Sequence, residues 1–132
     1  MKRTILAIMI LVLSVALMGC GHADPVLPIT QAASGVSATL VMDPYPLIQM
    51  EESSLRLTLK DTNNLPVSGA DVQLDLSKLN MSMPPYFLQT EYDGNGVYEA
   101  QVTFTMAGEW QVLVDVFVAG AHRQFMYVFN VD

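Results

Sequence analysis

The chain has 132 residues, 52% hydrophobic and 14% charged, with one cysteine, two histidines and a formal net charge of −7. That length suits one modest domain. Thirteen acidic side chains against six basic ones exclude the basic face a nucleic-acid binder needs, and a lone cysteine excludes an internal disulfide and a cysteine-rich structural zinc site.

Lys2 and Arg3 open the chain, and Ile5 to Met18 is an apolar run broken by Ser14. The run is shorter than the roughly 20 residues of a spanning helix. A positive start, a short apolar stretch and a small residue before the cut describe a secretory signal. Leu17-Met18-Gly19-Cys20 resembles the bacterial lipoprotein signal. That resemblance implies a signal peptide over residues 1–19 and a diacylglyceryl group on Cys20, which becomes the mature N terminus. Each buried CH₂ contributes about 0.8 kcal/mol, so two or three chains hold a protein firmly on a membrane. The expected location is extracytoplasmic, on the cell membrane or the outer membrane; Gly21 rather than Asp follows Cys20, which leaves the outer membrane open in a diderm host. The mature chain, without Lys2 and Arg3, is more acidic still.

Residues 20–35 hold Pro25, Pro28 and several small residues with no periodicity, and read as a lipidated N terminus and flexible tether. The alternative is that Val26 to Ile29 packs along the domain as an extra edge. From Val36 to the end at residue 132, two-residue alternation recurs. Inward rows are Val36-Ala38-Leu40-Met42, Leu55-Leu57-Leu59, Ala70-Val72-Leu74-Leu76 and Tyr98-Ala100-Val102-Phe104-Met106. Trp110-Val112-Val114-Val116-Val118 is equally long, with Leu113 and Phe117 on a partly polar reverse face, and Phe125-Tyr127-Phe129-Val131 is the last. A shorter strand is expected over Tyr86 to Glu91. Asp43-Pro44-Tyr45-Pro46, Asp61 to Pro66, Asp93 to Gly96 and Ala119 to Ala121 are turns.

About seven strands with turn chemistry between them, and no helical pattern, predict an all-β fold. The expected architecture is an immunoglobulin-like antiparallel β-sandwich, with a barrel as the alternative. Trp110 is the expected core centre, and Tyr98 and Phe104 are expected core residues with it.

Three pieces of sequence together resemble the YtkA-like domain and its FixH-like relatives. They are Tyr45-Pro46-Leu47, the stretch Leu65-Pro66-Val67-Ser68-Gly69-Ala70-Asp71-Val72, and Gly96-Val97-Tyr98 followed by Met106-Ala107-Gly108-Glu109-Trp110. The resemblance covers residues 36–131. It implies a small extracytoplasmic accessory domain linked to copper handling or respiratory-oxidase assembly. Its partners would be a membrane, through the N-terminal lipid, and an extracytoplasmic membrane protein. Family members often carry a methionine-rich loop before the Gly-x-Tyr strand. Here it is Asn80-Met81-Ser82-Met83-Pro84-Pro85. Met81 and Met83 are thioethers suited to copper(I); the alternative is that they fill the end of the core. Met42, Met50, Met106 and Met126 are expected in or near the core, and His122 in a solvated hairpin turn.

No nucleophile–base pairing or phosphate-binding glycine loop is present, and the chain is read as a non-enzyme. The rival is a structural or adhesive surface module that binds protein or polysaccharide.

Overall fold

The computed structural model describes residues 29–132. The leader over residues 1–19, Cys20 and the first part of the expected tether lie outside them. Nine strands form: β1 (Ile29–Ala33), β2 (Val36–Asp43), β3 (Glu52–Asp61), β4 (Asp71–Lys78), β5 (Tyr86–Gln89), β6 (Glu91–Gly94), β7 (Val97–Thr103), β8 (Gly108–Val118) and β9 (Ala121–Val131). They make two antiparallel sheets, ordered β1-β2-β3-β7-β6 and β5-β4-β8-β9. The expected β-sandwich is therefore the fold, and among the described residues no helix forms.

Alternation explains the packing. The even-numbered apolar residues of β2, β7 and β4 and the odd-numbered ones of β3 and β9 point inward, and all but Ala121, at the start of β9, are buried. The valine row of β8 lies between them. Trp110, Tyr98 and Phe104 are all in this core. Phe104 meets Trp110 edge-on at 5.1 Å and Phe129 at 5.6 Å, so one aromatic cluster joins the sheets at one end. At the other side the Tyr127 hydroxyl donates to the Ala38 carbonyl at 2.8 Å, a buried link between sheets.

Three hairpins close with two-residue turns, Ser34-Gly35, Asn95-Gly96 and Ala119-Gly120. Both residues of each have positive φ. That is the turn whose twist matches antiparallel strands.

Three expectations need correction. The domain begins at Ile29, because β1 pairs with β2 across residues 29–33, where a tether was expected up to residue 35. Gln31 explains why the strand was hidden. It stands at an inward position opposite Ala38, yet its amide is polar. Its nitrogen donates to the Met126 carbonyl and its oxygen accepts the Met126 N–H at 3.3 Å, so this side chain seals the β9 edge. Second, the expected strand over Tyr86 to Glu91 is two strands in different sheets. Thr90 marks the crossing, its backbone N–H and hydroxyl both donating to the Val72 carbonyl. Third, β7 ends at Thr103, and Met106 lies in the following loop.

Candidate functional site

The methionine loop joins β4 to β5. Its start is pinned to the beginning of β8: Leu79 N–H donates to the Glu109 carbonyl, and Lys78 Nζ to the Ala107 carbonyl at 2.7 Å. Met83 is partly buried against the core, and its Sδ accepts the Lys78 N–H at 3.2 Å. Met81 is 49% exposed. The two thioethers thus do different things, one filling the end of the sandwich and one facing water. Met42 is buried and Met106 packs on the core, as expected. Met50 and Met126 are exposed, contrary to expectation. Met126 stands between the inward Phe125 and Tyr127, so alternation turns it outward; Met50 occupies a turn with a φ of 66°.

His122 cannot join the loop. It faces Phe117 at the far end of the sheet, whereas Lys78 faces Trp110, seven β8 residues away. That is roughly 23 Å along a strand. Its Nε2 lies 2.6 Å from Asp115 Oδ1, and its ring stacks on Phe117 at 4.4 Å. The expected solvated turn residue is half exposed, but it lies in β9 with Asp115 and Phe117 against its ring. Among the described residues, no three His, Cys, Asp or Glu side chains converge on a metal-sized space.

A groove of about 490 Å³ opens where the chain crosses between sheets, lined in part by Glu91, Tyr92, Asp93 and Glu99. Arg56 reaches Asp93 at 3.2 Å and Glu99 at 3.3 Å, and Ser54 donates to Glu99 at 2.6 Å. Those carboxylates are already served. Such exposed pairs contribute little to stability.

The outer faces of the two sheets differ. That of the first is polar, with Thr39, Thr58, Lys60 and Gln101 along it. That of the second carries Phe87, Asp75, Leu113 and Met126 side by side, one from each strand. Phe87 is 54% exposed and Met126 50%; Phe117 (48%) and Val128 (44%) flank the row. Exposed apolar groups gathered on one face mark an interaction surface. Leu113 and Phe117 on the reverse of the valine row were the visible sign of it. Phe87 and Met126 were not, because their neighbours across the sheet come from distant segments.

The YtkA-like family model matches residues 30–115. Among solved structures, the PmoD soluble domain from Methylocystis sp. superposes with a TM-score of 0.56 at 10% identity, covering 80% of this chain and 98% of that one. A DUF4426 family protein from Pseudomonas aeruginosa PAO1 gives 0.55 at 10% identity, covering 77% and 94%. Both likenesses are of fold. FdeC, an Escherichia coli adhesin, gives 0.52 at 27% identity over 72% of this chain, which spans 31% of the FdeC chain. No curated protein matches the sequence.

Proposed function

Because the chain belongs to the YtkA-like family, we propose that it is a membrane-anchored extracytoplasmic accessory domain that acts by holding another envelope protein rather than by catalysis. The observation that supports this reading best is the outer face on which the exposed Phe87 and Met126 and the half-buried Leu113 gather around Asp75, on an acidic domain. The leader and Cys20 supply the anchor. Intact-mass analysis of the mature protein tests it: the chain is expected to start at Cys20 and carry the diacylglyceryl mass, and Cys20→Ala is expected to carry none. A mature chain cut elsewhere and free of lipid overturns the anchoring.

The copper link rests on Met81 and Met83. With Met83 already accepting a backbone N–H, the loop offers one open thioether, a poor cage for copper(I). Titration of the mature chain with copper(I) is expected to give a Kd no tighter than about 1 μM. A tighter site that disappears in Met81→Leu/Met83→Leu would assign the loop to copper handling.

The adhesive reading has one observation in its favour, the 27% identity with a segment of FdeC. Pull-down distinguishes the two: a membrane protein complex supports the accessory role, and cell-wall material supports adhesion.

A further inference from the structure

We propose that the outer face of the β5-β4-β8-β9 sheet docks a protein segment carrying lysine or arginine beside apolar side chains. This deepens the accessory role above and rests on it.

The argument is charge set into an apolar surface. Asp71, Asp75 and Asp115 stand on the same outward positions as the apolar row: Asp75 lies between Phe87 and Leu113, and Asp71 lies beside Phe117. Among the described residues, all four cations of lysine and arginine are elsewhere. Arg56 serves the groove, and Lys60 faces outward on the other sheet beside Ser37. Lys78 holds the Ala107 carbonyl, and Arg123 Nε donates to the Ser34 carbonyl at 2.9 Å. Asp71 and Asp75 have no ion-pair partner among the described residues. An apolar face with uncompensated carboxylates fits a partner that supplies both apolar contact and positive charge.

The same charges argue against other occupants. Asp115 is held by His122 and Gln124, and a second copy would bring the unpaired Asp71 and Asp75 against the same two carboxylates. An anionic bilayer surface would be repelled. The chain's own segment from Cys20 to Pro28 contains Asp24 and no lysine or arginine.

The test uses the isotope-labelled mature lipoprotein in zwitterionic detergent, with a soluble peptide of alternating lysine and valine as probe. Amide shifts are expected to concentrate at Phe87, Asp75, Leu113 and Met126. A glutamate–valine peptide is expected to cause none. Asp75→Lys and Phe87→Ser are each expected to weaken binding about tenfold. Glu91→Lys, an equal charge change on the other sheet, is expected to change it less than twofold. Phe87 and Glu91 are exposed and Asp75 is half-buried; unchanged thermal melting confirms that the variants fold.

Shifts spread over both sheets, or equal weakening by Asp75→Lys and Glu91→Lys, mean attraction by net charge and overturn the proposal. So do absence of binding, self-association through this face, or the same shifts on adding phosphatidylglycerol nanodiscs. Failures of the two readings are separable. A membrane partner captured equally well by Asp75→Lys and Phe87→Ser leaves the accessory role standing and removes this face. Peptide binding on the face without any captured envelope partner, and without lipid on Cys20, does the reverse.

Discussion

Trp110→Ala is expected to lower the free energy of unfolding by about 4 kcal/mol. Domains of this kind have roughly 5–15 kcal/mol in total, so the variant would stand near the edge of folding. Trp110 is 2% exposed and is the chain's single tryptophan. Removing its ring leaves Phe104 without its edge-on partner and opens a cavity at the end where both sheets and the methionine loop meet. The indole N–H also donates to the Met106 carbonyl at 3.0 Å, which ties the β7–β8 loop to β8. Trp110→Phe separates the two contributions. It keeps an aromatic ring against Phe104 and loses the hydrogen bond, for an expected cost of about 1–2 kcal/mol. Urea unfolding followed by circular dichroism reads both, since the variants lack the fluorophore. A cost below about 1 kcal/mol for Trp110→Ala would show that the core closes over the gap, and would remove Trp110 from the centre.

That residue was legible in the sequence because it heads a five-residue row of alternating apolar residues. The same reasoning located six of the strands closely, since each had one face buried and one wet. It failed where a side chain does work that its polarity conceals. Gln31 occupies a core-facing position because its amide satisfies a strand edge, and no pattern of apolar residues reports that. Thr90 divides one apparent strand into two by bonding Val72 from both backbone and hydroxyl, a contact across eighteen residues. The candidate docking face was half legible. Leu113 and Phe117 interrupt a polar row within one strand, but the row becomes a surface when β5 and β9 bring Phe87 and Met126 beside it. The methionine loop shows the opposite case: two like residues one apart in sequence have unlike surroundings, because one side chain fills the core's end and the other does not.

Gly96→Ala is expected to cost about 3 kcal/mol, and Gly94→Ala about 1 kcal/mol. Both glycines have positive φ, 77° and 89°, so both substitutions strain the backbone by about 1–2 kcal/mol. They differ in what a methyl group would meet. At Gly94 nothing lies within 4 Å. At Gly96 a Cβ would sit 2.5 Å from the Leu59 carbonyl oxygen and 3.1 Å from Pro66 Cβ. The turn must then back away, and it is bonded where it stands: Gly96 O accepts the Leu59 N–H at 2.8 Å, and Leu59 O accepts the Val67 N–H at 3.0 Å. Tyr98 completes the lock two residues on. Its hydroxyl donates to the Val67 carbonyl at 3.0 Å and accepts the Ala70 N–H at 3.1 Å. The Gly-x-Tyr unit therefore clamps the connection from β3 to β4, the first point at which the described chain passes from one sheet to the other. Urea melts of the two alanine variants decide the matter. Equal losses would mean that the contact at Gly96 relaxes freely and that strain at φ is all that matters. A difference of about 2 kcal/mol would mean that close approach of two loops, rather than turn geometry, requires glycine there, and that the pairing of Gly96 with Tyr98 follows from one crossing being held from two sides.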